Sequence, residues 1–243
     1  MNDHSKSGNR VDPTTYRSLN MKLLYVATRT RPDILFPTVV CATRSEQPTD
    51  IDFQRLVKVL SYLKGTADRI LVFKRAGPIY LHAYVDASFN IHWDAKGHNG
   101  FCLFVDKHGS ACVIIKFDKQ KSTADSSTES ELMALHEAAK HICWAADVYA
   151  ELGHDVTPIE IFQDNKSSIT LSSEEALNFK GRSKFINRKF FGIYELIQDN
   201  KIKLSYVCTE DMIADVLTKV MVGSRFKRFA IALLGCKSIF SSD

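Results

Sequence analysis

The order of strand patterns and helix patterns is the feature that most constrains the fold of this chain. Three segments rich in β-branched and aromatic residues come first, and the last two of them, near 101–105 and 111–117, are joined by a glycine-containing turn. A long helical repeat follows, and then another strand, short helices, a strand near 203–207 and final helices. This order predicts an α/β protein with a mixed five-stranded sheet flanked by helices on both faces.

Two aspartates end strand patterns in this arrangement. Asp86 follows the apolar run 79–85, and Asp164 closes the run 159–163 just before a polar stretch that can cap a helix. We therefore expect both carboxylates at the rim of the sheet, where they can face each other.

Two further acidic residues lie early in helices. Glu131 follows three candidate N-cap hydroxyls, those of Ser126, Ser127 and Thr128, in the long repeat that runs to Glu151, and Asp215 precedes a second apolar repeat. Four carboxylates from four separate segments suit a pair of divalent cations, which can activate a water and neutralise the leaving oxygen of a phosphodiester.

Five motifs, in order, resemble the ribonuclease H domain of copia-type retrotransposon polyproteins: Tyr84–Ser88, Lys119–Ser122, Ser126–Leu132, Gln163–Ser167 and Ala214–Lys219. Upstream segments resemble the end of the reverse transcriptase that precedes that domain: Tyr16–Leu19, Leu23–Tyr25, Thr30–Ile34 and Tyr62–Thr66. The resemblance implies a ribonuclease H-like fold preceded by a small helical segment. It also implies an endonuclease that hydrolyses the RNA strand of RNA–DNA hybrids with two Mg²⁺ ions, for which Mn²⁺ can substitute.

The resemblance assigns a role to each carboxylate. Asp86 would bridge the two ions, Asp215 would complete the ion that holds the attacking water, and Glu131 and Asp164 would complete the leaving-group ion. The family's glutamate precedes a Leu-x-Ala-type stretch, which selects Glu131. Glu129 is the alternative ligand, and helix capping is its other possible role.

Five polar residues are predicted to contact the substrate: Ser88, Asn165, Lys119, Lys121 and Lys184. The first two match positions at which the family touches the RNA strand, whose 2′-hydroxyl distinguishes it from DNA. A helix cap is the alternative role for Asn165. The lysines belong to basic clusters at 116–121 and 180–189, and a third cluster lies at 225–228; each can neutralise phosphates or form a solvated face.

Composition is compatible with a globular nucleic-acid enzyme. The 243 residues are 45% hydrophobic and carry a net charge of +4, so affinity for nucleic acid has to come from local basic clusters. Six dispersed cysteines without CxxC spacing indicate neither a zinc site nor a disulfide framework and favour an intracellular compartment. No apolar run approaches the roughly 18 residues of a membrane span, so we expect a soluble protein, located by the resemblance in cytoplasmic virus-like particles or the nucleus.

We expect four parts along the chain. They are a disordered lead-in (1–12), a helical remnant of the reverse transcriptase (13–76), the ribonuclease H-like domain (77–222), and a C-terminal helix and tail (223–243). The Tyr-x-Asp-Asp motif of the polymerase is absent from the sequence, so we expect no DNA synthesis by this chain. The expected partners are an RNA–DNA hybrid and the polymerase domains of a reverse transcriptase.

Two other functions stay open. One is an inactive copy that binds nucleic acid or a polymerase partner, and the other is a transposase or integrase relative, because that superfamily also uses strand-end carboxylates. The Glu131 helix between the first two aspartates favours the ribonuclease order. The segment 207–212 contains no histidine, although many cellular ribonucleases H carry a His-bearing loop there. Product release is therefore left without an assigned residue.

Overall fold

The first part of the molecule is a set of three helices. The computed structural model describes residues 8–74, 77–90, 95–106, 109–172 and 192–235. Helix α1 (Pro13–Arg29) is followed by a 3-10 turn (Pro32–Ile34), α2 (Leu35–Ala42) and α3 (Asp50–Gly65). Asp12 caps α1 by accepting from two backbone N–H groups, and Thr49 forms a capping box with Asp52 at the start of α3. None of the helices within these ranges is both long and apolar enough to cross a membrane.

The chain just before α1 pairs with the connection between α2 and α3. The backbone N–H of Val11 donates to the carbonyl of Pro48 at 3.1 Å, and the N–H of Asp50 donates to the carbonyl of Asn9 at 2.9 Å. These backbone bonds and the Asp12 cap tie residues 9–12 to the helices, and the predicted lead-in 1–12 stays a prediction.

The second part is built on one sheet. Its strands are β1 (Leu81–Ser88), β2 (His98–Val105), β3 (Cys112–Lys119), β4 (Ile159–Gln163) and β5 (Ile202–Tyr206), in the order β3-β2-β1-β4-β5. The first three strands are antiparallel, whereas β1, β4 and β5 are parallel. The predicted mixed five-stranded sheet is confirmed.

Helices connect the parallel strands, and two more helices follow the last strand. Helix α4 (Ser127–Glu151) lies between β3 and β4, and α5 (Lys166–Leu171) and a helix at 192–198 (α6) lie between β4 and β5. Helices α7 (Asp215–Thr218) and α8 (Gly223–Leu234) follow β5. Parallel neighbours need such crossovers because a tight hairpin can join only antiparallel strands.

Side chains of the strands alternate between two cores. Val85 and Leu103 face α4 and pack with Leu135 and other buried residues of that helix. Cys102 and Phe104 face the other way, into a core shared with α1, α2, α3, α7 and α8. Helices therefore cover both faces, as predicted, and the helical first part shares a core with the sheet. The predicted boundaries at 12, 76 and 222 stay a prediction.

Candidate metal centre

Three aspartates converge at one edge of the sheet. Asp86 lies two residues before the end of β1, Asp164 directly follows β4, and Asp215 begins α7. One carboxylate oxygen of each lies within 4.8 Å of the others. Because β1 and β4 are parallel neighbours, their carboxyl ends reach the same edge. The expectation that Asp86 and Asp164 face each other therefore agrees with the structure, although Asp86 lies within its strand and not after it.

A glycine in β2 lets α7 reach this edge. Gly100 is the register partner of Asp86, and a Cβ at this position would lie 2.7 Å from Cγ2 of Thr218 and 3.0 Å from Cβ of Leu217. Such distances do not occur for real Cβ atoms without a shift of the neighbouring atoms. The close approach places the Thr218 hydroxyl where it donates to Oδ2 of Asp86.

Glu131 lies near these aspartates, in the second turn of α4. It is 7% exposed, and the backbone N–H of Ala87 bonds to its carboxylate. Burial, and then the charges of Asp86 and Asp164, raise its pKa well above the ordinary value. Its Oε2 is buried and has no hydrogen-bond partner among the described residues. A cation would satisfy such an atom, since an unpaired buried carboxylate oxygen is costly.

Glu129 occupies a different environment. Its carboxylate accepts from the backbone N–H of Asp125 at 2.8 Å, and its own N–H donates to the N-cap hydroxyl of Ser126 at 3.1 Å. Glu129 therefore serves the capping role that we gave as its alternative. The assignment of Glu131 as the metal ligand stays a prediction, which this placement supports.

Burial and mutual repulsion raise the pKa values of the aspartates. Burial, together with the charges of Asp215 and Asp164, raises the pKa of Asp86 to about 7, although Lys219 and Thr218 oppose the shift. Burial also raises the pKa of Asp215 against the opposing effect of Lys219 and Arg225. A divalent cation relieves this kind of repulsion, because it lies between like charges and favours their ionised forms.

Two basic residues that sequence reasoning did not assign to the site contact the carboxylates. Nζ of Lys219 lies 2.5 Å from Oδ1 of Asp215 and 3.4 Å from Oδ1 of Asp86. Nη2 of Arg225 lies 2.6 Å from Oδ2 of Asp215 and also donates to the carbonyl of Thr209. The available signal was the four-residue spacing of Asp215 and Lys219 on one helical face.

The third basic cluster was therefore misinterpreted in part. We predicted that 225–228 could neutralise phosphates, but Arg225 binds Asp215 and Arg228 lies 3.2 Å from Asp211. These pairs form because α8 packs beside the turn that follows β5, which places both guanidinium groups next to acidic residues. Both guanidinium groups therefore pair with carboxylates of the protein itself.

The turn after β5 orients Asp164 through a hydrogen bond. Thr209 begins a 3-10 turn (Thr209–Asp211), and its hydroxyl donates to Oδ2 of Asp164 at 2.9 Å. Because Arg225 bonds the carbonyl of the same threonine, Asp164 and Asp215 are linked through Thr209 and Arg225. The segment 207–212, which contains no histidine, thus helps to orient the carboxylates.

The predicted substrate residues lie in different settings. Ser88 is 7% exposed; its hydroxyl accepts from the N–H of His98 at 2.9 Å, and its carbonyl accepts from Ser130 at 3.3 Å. These internal bonds hold Ser88 between β2 and α4, and its predicted contact with RNA stays a prediction. Asn165 caps α5 by accepting from the N–H of Ser168 at 3.1 Å, which is its alternative role. Lys119 and Lys121 are exposed, and Lys184 lies outside the described residues.

The strand order, the long helix between β3 and β4, and the acidic cluster at the sheet edge together define a ribonuclease H-like domain. No protein-family model matches the chain. It is 31% identical over 227 residues to the retrovirus-related Pol polyprotein from transposon RE1 of Arabidopsis thaliana. It is 29% identical over 235 residues to that from transposon TNT 1-94 of Nicotiana tabacum. Over 92% of its length the chain is therefore homologous to retrovirus-related Pol polyproteins from copia-type transposons, as its motifs indicated.

The matched region is a small part of these relatives. Each alignment covers 92% of this chain but only 15% and 17% of the respective polyprotein. Among solved structures, the chain is similar to LC11-RNase H1, isolated from compost, with 15% sequence identity and a TM-score of 0.45. That alignment covers 57% of this chain and 92% of the solved one.

Proposed function

We propose that this chain is a ribonuclease H that hydrolyses the RNA strand of RNA–DNA hybrids with divalent metal ions. The observation that carries the proposal is the convergence of three aspartate oxygens within 4.8 Å of one another. Homology to retrovirus-related Pol polyproteins over 92% of the chain supports the same function. The order of the acidic residues, with Glu131 on a helix between the first two aspartates, favours a ribonuclease over a transposase or integrase relative.

The residues present fit a magnesium centre. All of the candidate ligands are carboxylate oxygens, which Mg²⁺ prefers. The buried Oε2 of Glu131 has no hydrogen-bond partner among the described residues, and a cation would satisfy it. We propose that two ions would be held here: Asp86 would serve both, Asp215 would complete the one that activates the water, and Glu131 and Asp164 would complete the one that stabilises the leaving oxygen. When bound, such ions generate an attacking hydroxide and stabilise the leaving oxygen.

The surrounding residues orient the ligands. Thr218 bonds Oδ2 of Asp86, and Arg225 bonds Oδ2 of Asp215. Thr209 donates to Oδ2 of Asp164. Each aspartate therefore has one oxygen fixed by these contacts, and in Asp86 and Asp215 the other oxygen contacts the ammonium of Lys219. Contacts of this kind around ligands fix their direction and sustain metal affinity.

The substrate contacts and the setting of the enzyme are also proposals. The exposed Lys119 and Lys121 would neutralise backbone phosphates of the hybrid, which would make binding weaken with salt. The polymerase domains of the longer polyprotein would be the protein partners, in virus-like particles or the nucleus.

Cleavage of a labelled RNA–DNA hybrid in Mg²⁺ or Mn²⁺ tests the function, with single-stranded and double-stranded RNA as substrate controls. We expect wild type to cut only the RNA of the hybrid, and Asp86→Asn to lower the rate on the order of a hundredfold or more through loss of a metal ligand. Asp147→Asn is the matched control, since Asp147 lies exposed on α4, away from the cluster. We expect this variant to cut at the wild-type rate.

A folded wild-type protein that cuts nothing with either metal would refute the enzymatic proposal. If that protein still bound the hybrid with an affinity that falls as salt rises, the inactive nucleic-acid-binding copy would be the correct function.

A further inference from the structure

The ammonium group of Lys219 lies at the centre of the aspartate pair. Its Nζ is 2.5 Å from Oδ1 of Asp215 and 3.4 Å from Oδ1 of Asp86. The two carboxylates belong to different elements, β1 and α7, and both are almost completely buried. One positive charge therefore joins the two elements at the edge of the sheet.

The remaining oxygens of the pair have other partners. Oδ2 of Asp86 accepts from the hydroxyl of Thr218, and Oδ2 of Asp215 accepts from Arg225. The two Oδ1 atoms are thus the ones left to hold a cation in common, and both contact the same ammonium. A metal ion that took Oδ1 of Asp86 and of Asp215 as ligands would compete with Lys219 for both atoms.

The side chain of Lys219 can leave this position without disturbing the fold. It is 40% exposed, whereas both aspartate side chains are at most 1% exposed. A lysine has a flexible four-carbon stem and a compact charged end, so rotation of the stem can carry the ammonium into solvent. Arg225 differs, because its guanidinium is also bonded to the carbonyl of Thr209.

We propose that Lys219 is a tethered cation that holds Asp86 and Asp215 together and that a divalent metal ion must displace on binding. The inference rests on the proposed function in taking these aspartates as metal ligands. It gives Lys219 two opposite effects: it stabilises the cluster before metal binds, and it lowers the affinity for the metal. The alternative is a permanent ion pair that stays in place beside the bound metal.

Calorimetric titration with Mg²⁺ and Mn²⁺ separates these possibilities. We expect Lys219→Met to bind metal about tenfold more tightly than wild type, because it removes a competing charge in direct contact with two ligands. Lys219→Arg keeps a competing charge and should bind about as weakly as wild type. In EDTA, Lys219→Met should melt at a lower temperature than wild type, because the repulsion between the two buried carboxylates is then offset by Arg225 and no longer by Lys219.

The matched control is Lys166→Met. Lys166 follows Asp164 by two residues, and its ammonium lies over the ring of Tyr206 at 4.6 Å from the ring centroid. Its removal changes the net charge equally, so any long-range effect appears in both variants, and we expect a change in affinity below about twofold. Equal tightening in the two variants, or no tightening in Lys219→Met, would overturn the proposal.

A second measurement uses only wild-type protein and so does not depend on the folding of a variant. In lysine labelled with ¹⁵N, we expect the Lys219 ammonium signal to be protected from exchange in EDTA and to lose that protection as Mg²⁺ saturates the protein. Retained protection at saturation would mean a permanent ion pair and would overturn the inference while leaving the ribonuclease proposal intact. Failure of wild type to bind either metal would overturn both.

Discussion

At the scale of single residues, the main property of the site is electrostatic repulsion between its buried carboxylates. Asp86 is 1% exposed and lies close to the negative charges of Asp215 and Asp164. Its burial and these like charges raise its pKa to about 7. Lys219 and Thr218 offset only part of this. Ionising the cluster therefore costs the folded protein stability, as at many sites that bind charged ligands.

The pH dependence of stability follows from this shift. Because the folded-state pKa of Asp86 lies above its unfolded value, protonation stabilises the folded state; that stabilisation is complete below an unfolded pKa of about 3.9. It is lost as pH rises through about 7. Without added metal, we expect Asp86→Asn to be more stable than wild type at pH 8, by roughly 1–3 kcal/mol.

Urea unfolding in EDTA at pH 5 and pH 8 measures this effect. The advantage of Asp86→Asn should shrink at pH 5, where the wild-type carboxyl is already largely protonated. Asp147→Asn should show no such dependence, since Asp147 is exposed. A variant less stable than wild type at pH 8 would show that the contacts of Asp86 with Lys219 and Thr218 outweigh the burial of its charge.

At the scale of elements, the site depends on how closely α7 lies against the sheet. That helix carries Asp215 and Thr218, and it reaches β1 across Gly100 of β2. We expect Gly100→Ala to push α7 outward, since its Cβ would meet Leu217 at 3.0 Å and Thr218 at 2.7 Å. The expected cost is about 1–3 kcal/mol in stability, with a weaker affinity for divalent metal.

Gly65→Ala is the matched control for this change. Gly65 ends α3, and a Cβ there would have no atom within 4 Å, so we expect unchanged metal affinity and a stability close to wild type. Thermal unfolding and metal titration of both variants provide the comparison. Equal metal affinity in Gly100→Ala and wild type would mean that α7 tolerates displacement without loss of the ligand geometry.

At the scale of the whole molecule, the helical first part and the sheet share a core. Leu56 of α3 is fully buried in the cluster that also contains Phe104 and Leu217. We therefore expect Leu56→Ala to destabilise the entire protein by about 2–5 kcal/mol. The loss should appear as one shifted transition, because neither part retains a complete core without the other.

Far-UV and near-UV circular dichroism, followed through the same denaturant titration, test this cooperativity. Leu60→Ala is the control on the same helix; Leu60 is 38% exposed, and its truncation should cost less than about 1 kcal/mol. Two separate transitions, with only the first shifted by Leu56→Ala, would show that the helical part and the ribonuclease H-like part unfold independently.

The sequence by itself determined the features that depend on local pattern. The order of strands and helices, the hydroxyl-rich start of α4 at 126–128, the strand just before Asp164 and the four acidic positions were all evident from residue types and spacing. These are properties of short segments, so propensity, capping and periodicity are sufficient to predict them. The family resemblance rested on the same short motifs.

Only the tertiary structure decided which side chains meet at the site. Thr218 and Asp86 are 132 residues apart, and Arg225 reaches Asp215 from the next helix, so both contacts depend on sheet register and helix docking. The same packing buries Ser88 between β2 and α4. Long-range contacts of this kind are fixed by how the elements pack, because no local spacing in the chain specifies which surfaces come together.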